Sequence, residues 1–185
     1  MIVIKSLRTV TALLLSLPLL STCVYGQSKA ESANRNVQES QIREAVIRFQ
    51  MEDWWRSMDK YEGEARKDWE KETAKQLNYK IYFISINGKD PSDQFVKRFA
   101  NIPRVVKKAS KAQMRASGSA GVLDRQTHET GIIFTANAIR WLGSDSVEVD
   151  GGYYCGGRCA RASTFAPHLE SGKWTARLLR VNGVS

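Results

Sequence analysis

The stretch Gly131–Arg180, GIIFTANAIR WLGSDSVEVD GGYYCGGRCA RASTFAPHLE SGKWTARLLR, decides the fold of this 185-residue chain. It predicts a four-strand antiparallel meander. Segments Ile132 to Trp141, Ser146 to Cys155, Cys159 to Glu170 and Lys173 to Val181 alternate in polarity or concentrate β-branched and aromatic residues. The breaks between them, Gly143-Ser144-Asp145, Gly156-Gly157-Arg158 and Ser171-Gly172, are short enough for hairpins.

Strand side chains alternate between faces, and a slip of one residue turns every one over, so a register can be tested against composition. A three-residue loop at Gly156-Gly157-Arg158 and a two-residue loop at Ser171-Gly172 put Val147, Val149, Tyr153 and Cys155 on one face with Pro167, Phe165, Arg161 and Cys159. Trp174, Ala176 and Leu178 join them from the last strand. The other face collects Glu148, Asp150, Thr164, His168, Glu170, Lys173, Thr175 and Arg177. Polar and apolar side chains thus separate across three strands. A three-residue loop at Gly143-Ser144-Asp145 adds Ile139 and Trp141 to the apolar face.

The same register sets Cys155 opposite Cys159. Opposed residues in an antiparallel pair have Cα atoms about 4.5 to 5.5 Å apart, which suits a disulfide. Half a metal site is the alternative, yet no further Cys follows Cys23, and His128 and His168 stand at no ligand-like spacing. The expectation is a bridge between Cys155 and Cys159, with no metal and no cofactor.

Outward from the meander, the chain begins with a targeting pattern. Lys5 and Arg8 precede the apolar run Val10 to Leu20, which is short for a membrane span, and Val24-Tyr25-Gly26 suits signal-peptide cleavage after residue 26. Leu20-Ser21-Thr22-Cys23 resembles a lipobox, which makes a lipoprotein anchored through Cys23 the alternative. Both place the chain outside the cytoplasm, periplasmic or extracellular, where a disulfide persists. Residues 27–35 are polar and aperiodic, a flexible leader to a single domain over 36–185.

Asn36 and Glu39 form a capping-box pattern. Ile42, Ala45, Val46 and Phe49 share one helical stripe, and Met51, Trp54, Met58, Tyr61, Ala65 and Trp69 share another on nearly the opposite side. The switch predicts two helical pieces with a bend near Gln50 to Asp53, or one helix buried on two sides. Trp54-Trp55 and Trp69 suit a core or an aromatic platform. Lys80 to Ile86 is apolar on both faces, as in a covered strand. Asp90-Pro91-Ser92 opens a helix buried through Phe95, Val96 and Phe99 and ended by Asn101 and Pro103. Arg104 to Ser110 is a strand candidate, residues 111–121 a loop, and Asp124 to Thr130 a polar turn.

The chain has 28 basic and 19 acidic residues, a net charge of +9. Loss of Lys5 and Arg8 with a signal peptide takes the basic count from 28 to 26 against 19, leaving +7. That balance favours an anionic ligand or an anionic envelope surface. Arg104, Lys107, Lys108, Lys111 and Arg115 form the one basic run, a solvated face or an attachment patch. No nucleic-acid motif accompanies it, and export argues against that partner.

The order helix, helix, strand, helix, curved meander, with the ending Ser171-Gly172-Lys173-Trp174-Thr175-Ala176, resembles the NTF2-like (SnoaL-like) family over about Asn36 to Val181. Tyr82-Phe83-Ile84-Ser85 and Gly151-Gly152-Tyr153-Tyr154-Cys155 are similar to stretches of uncharacterised bacterial exported proteins. The resemblance implies an α+β cone, NTF2-like or cystatin-like, in which N-terminal helices pack on a curved antiparallel sheet whose concave side can hold a ligand. The register then stacks Asn137, Gly151, Ser163 and Arg180 in one row, and Thr135, Tyr153 and Arg161 in the next. An apolar wall leading to Tyr153, Arg161, Arg180, Asn137 and Ser163 suits a small carboxylate or phosphate. The alternative at this end is a Tyr153–Arg161 cross-strand stack. The function expected is an exported, non-enzymatic binding or interaction module. An NTF2-like isomerase or lyase is the alternative and would need a carboxylate or His near Tyr153.

Overall fold

In a computed structural model, residues 21–59, 79–115, 121–143 and 146–185 are described, with side chains in the first stretch from 31 to 56. The chain divides into two compact units, residues 1–36 and 37–185. The sheet and both sites below belong to the second. The run Val10 to Leu20 and the positions Tyr61, Ala65 and Trp69 lie outside the described residues.

The protein is α+β. Helix α1 (Ser21–Asp59) is followed by β1 (Ile81–Ile86), α2 (Asp93–Lys97), β2 (Val105–Lys108), a 3-10 turn at Ala109–Lys111, β3 (Ala112–Met114), β4 (Val122–Asp124), β5 (Thr130–Trp141), β6 (Val147–Gly156), β7 (Cys159–Glu170) and β8 (Lys173–Val184). The strands form one eight-stranded sheet ordered β2-β1-β5-β6-β7-β8, with β4 pairing β5 and β3 pairing β4 off that path. The meander β5 to β8 is antiparallel throughout.

The sheet is mixed, which corrects the expectation of an antiparallel one. β1 runs parallel to β2 and to β5. Parallel neighbours need a crossover, and α2 supplies the one between β1 and β2. Ser92 caps α2 by accepting the Phe95 N–H at 3.2 Å. Pro91 therefore precedes the cap, and Asp90 turns away to accept the Ser110 N–H at 2.9 Å. Central β1 is covered on both faces, as its sequence implies. Tyr82 and Ile84 join the main core, while Ile81 and Phe83 meet Ala112 and Val122 of β3 and β4. Of that second cover, Ala112 comes from the stretch 111–121 expected to be loop.

α1 is continuous through Gln50 to Asp53 and already helical at 27–35, so neither the bend nor a start at Asn36 is present. Glu39 pairs with Arg43 at 3.1 Å instead of closing a capping box. Ile42, Val46, Ile47, Gln50, Met51 and Trp54 are all buried. At 100° per residue they span a wide arc with Gln50 near its middle. As far as Trp54, the two apolar stripes are thus flanks of a single buried face, interrupted in sequence by one polar residue.

The predicted hairpin registers hold over most of the meander. Val149 pairs Phe165, Tyr153 pairs Arg161, and Trp174 pairs Leu169. Trp141 and Trp174 meet edge to face at 6.3 Å. Four irregularities break the ladders: in β5 between Ala136 and Ile139, in β6 at Cys155, and twice in β8 around Leu179 and Asn182. Each adds one residue to one strand, which turns the side chains beyond it to the other face.

Candidate functional site

Those bulges rearrange the expected cradle. Tyr153, Arg161 and Ser163 remain together on the helix side of the sheet. Ser163 pairs Gly151 as expected and is almost fully buried. Arg180 instead pairs Thr164, so it lies on the opposite face and reaches Glu148 at 3.6 Å. Asn137 falls in the β5 bulge, where its Oδ1 accepts the Asn87 N–H at 3.1 Å. It holds a turn in which Asn87 has φ 51°. Thr135 pairs Gly152, not Tyr153, and its hydroxyl donates to the Gly152 carbonyl at 3.2 Å.

Arg161 already has an anion. Its Nη2 donates to Asp53 Oδ2 at 2.7 Å, and its guanidinium lies 5.1 Å from the Tyr153 ring centroid. Tyr153 in turn packs edge-on against Trp54 at 4.9 Å. The carboxylate expected from a ligand is thus supplied by α1, alongside the Tyr153–Arg161 stack. Gln50 completes the arrangement by donating its Nε2 to the Thr135 carbonyl at 2.9 Å. Gly151 is required there, because a Cβ would stand 2.4 Å from the Thr135 oxygen and 3.4 Å from Gln50 Nε2.

Cys155 and Cys159 stand at disulfide distance, with Cα atoms 5.2 Å apart. They are not directly opposed, since Cys159 pairs Gly156 and Cys155 occupies the bulge. The turn is therefore the two residues Gly157-Arg158.

A cavity lies on the other flank of α1. It is half open, about 170 Å³, and lined by Met51, Trp55, Tyr82, Ile102, Pro103 and Arg104, with Glu52 and Arg56 also bordering it. A wider cleft of about 630 Å³ adjoins through Ile102, Pro103 and Arg104 and continues to Lys80 and Val105. Trp55 is 38% exposed, whereas its neighbour Trp54 is core. Arg104 is held in place by the backbone and by Trp55. Its Nε donates to the Tyr79 carbonyl at 3.2 Å, its Nη1 to the Pro103 carbonyl at 2.7 Å, and its guanidinium covers Trp55 at 4.3 Å. Burial pushes the Tyr82 phenol up, partly opposed by Arg104, so it stays neutral at physiological pH. One sequence signal for this site was Trp55 itself, an aromatic off both stripes.

The rest of the basic run is structural in part. Lys107 and Lys108 pair with Asp124 and Asp93, each at 2.8 Å. On the outer face Arg140 bridges Glu148 at 3.0 Å and Asp150, which accepts twice from its guanidinium. Asp150 is held below the usual carboxylate range chiefly by Arg140 and also by Thr164. Among the described residues no group of three or more His, Cys, Asp or Glu is placed to hold a metal. No described helix is long and apolar enough to cross a membrane. Comparison with protein-family models, curated proteins and solved structures finds no match for this chain.

Proposed function

We propose that the protein is an exported binding module whose ligand seat is the cavity beside Trp55, and that its ligand is a small amphipathic anion. The observation that carries this is an apolar cavity opening past Arg104 into a cleft flanked by Lys80. A cavity of about 150 Å³ lined by apolar side chains holds a benzene-sized group. The 170 Å³ here suits one ring or a short alkyl chain. Trp55 and Tyr82 give that group flat walls. The charged end then lies in the cleft toward the positive charges of Arg104 and Lys80, with Lys80 exchanging its exposed partner Glu129, 3.3 Å away, for the ligand.

Two further expectations support the reading without being needed by it. The Cys155–Cys159 pair is compatible with an oxidising compartment. The burial of α1 residues against the bulged sheet is compatible with an NTF2-like cone, since bulges bend strands.

The test is a titration of the isotope-labelled protein with 3-phenylpropionate, following the Trp55 indole N–H by NMR. The expected result is a saturable shift that Ile102→Trp abolishes by filling the cavity and that Lys80→Gln weakens. A shift unchanged by Ile102→Trp, or no shift, overturns the proposal.

A further inference from the structure

β8 ends the path β2-β1-β5-β6-β7-β8, so among the described residues no strand pairs its outer edge. It has twelve residues, against four in β2 at the other edge. A long open edge presents a row of backbone N–H and C=O groups to any extended chain. From Lys173 to Leu178 its pairing with β7 is uninterrupted, so this half of the edge is regular.

Its two faces differ in chemistry. Trp174, Ala176 and Leu178 lie on the helix side and pack against the core margin. Val181, between the two bulges, and Val184, beyond both, extend that side by pairing Ser163 and Arg161, and they are 48% and 76% exposed. Lys173, Thr175 and Arg177 lie on the outer side, with both cations exposed. Arg180 is already paired with Glu148, and Glu170 of β7 stands opposite Lys173, while β8 itself contains no Asp or Glu.

We propose that the outer edge of β8 receives an extended segment of an acidic partner protein by strand addition, a segment that alternates apolar and acidic residues. Main-chain hydrogen bonds supply attachment, and the alternating side chains supply choice. Apolar residues of the partner continue the strip of Trp174, Leu178 and Val181. Its carboxylates meet Lys173 and Arg177 across the ladder, where opposite charges attract and like charges repel. A second copy of this chain is a poorer occupant, because two β8 strands bring cation toward cation.

The experiment is hydrogen exchange on the full chain with a short, end-blocked peptide alternating valine and glutamate, beside one alternating valine and lysine. The expected result is slowed exchange of β8 amides with the glutamate peptide and none with the lysine peptide. The double substitution Lys173→Glu, Arg177→Glu weakens the glutamate peptide about tenfold, as for two exposed pairs, and lets the lysine peptide bind. That gain keeps the test sound, since a misfolded variant binds neither. Absence of protection at β8, equal protection by both peptides, or a concentration-dependent dimer protecting β8 without peptide each overturns the proposal.

Discussion

Asp124 shows how one carboxylate fixes a region that its sequence neighbours leave undetermined. Its Oδ1 accepts the N–H groups of Gln126 and Thr127, each at 2.9 Å, and its Oδ2 accepts Lys107 Nζ at 2.8 Å. The carboxylate closes the turn after β4 and ties it to β2. The Lys107 hydrogen bond first, then the backbone N–H groups, hold its pKa down to about 2 from the usual 3.8, against the opposing effect of burial. A lowered folded-state pKa means that the unfolded chain takes up the proton first as pH falls. The stabilisation is therefore complete above about pH 4 and is lost between there and about pH 2. Asp124→Ala is expected to cost about 3 kcal/mol at pH 7, because it leaves Lys107 and two N–H groups without their acceptor. Urea unfolding checks it: the difference from wild type at pH 7 should shrink as pH falls toward 2. A constant difference would contradict the assigned role.

At the scale of elements, what was legible in the sequence followed the alternation of side chains. Val149 against Phe165 and Leu169 against Trp174 follow because a wrong register would bury Glu148 or expose Val149. The bulges left no such mark. Asn137 lies between two alanines and Leu179 follows another leucine, so an extra residue at either place changes little in the pattern, although the one at Leu179 redirects Arg180. Gly152 lies outside the bulges, in regular register, and is fixed by close approach: it has φ 156°, and a Cβ would stand 1.9 Å from the Arg161 carbonyl oxygen, so only glycine fits. The parallel setting of β1 was hidden as well, since chain direction leaves the period-two pattern unchanged. α1 looked broken because Gln50 is polar, although its Nε2 donates to the Thr135 carbonyl from within the buried face. The cradle failed for the same reason as the helix: Asp53 sits beside that apparent break. The Cys155–Cys159 link yields a prediction at this scale. A loop this short removes little unfolded-state freedom, so reduction should lower stability by about 2 kcal/mol or less. Hydrogen exchange should quicken mainly in Tyr154–Ala160, and a change across the whole sheet would show that the link does more than hold its hairpin.

Across the whole of unit 37–185, the meander is anchored to α1 by apolar contact over most of its length and by charge at one end. Phe49 meets Phe165 at 5.9 Å in the apolar part, and Asp53 meets Arg161 beyond it. Arg161 is mostly buried and Asp53 is partly exposed, with side-chain exposures of 17% and 40%. Loss of the carboxylate leaves a shielded guanidinium, whereas loss of the guanidinium leaves a carboxylate that water can reach. Asp53→Ala is therefore expected to destabilise more than the loss of charge in Arg161→Met, where an unbranched apolar side chain still covers Tyr153. A double-mutant cycle of the two should give a coupling of about 1 kcal/mol, toward the upper end for pairs that water partly reaches. Raising ionic strength to about 1 M should reduce the coupling without removing it, because screening acts on the exposed partner. Denaturant midpoints of the four proteins at two salt concentrations measure both quantities. Zero coupling at low salt would leave the aromatic contact of Trp54 with Tyr153 as what fastens the helix to this end of the sheet.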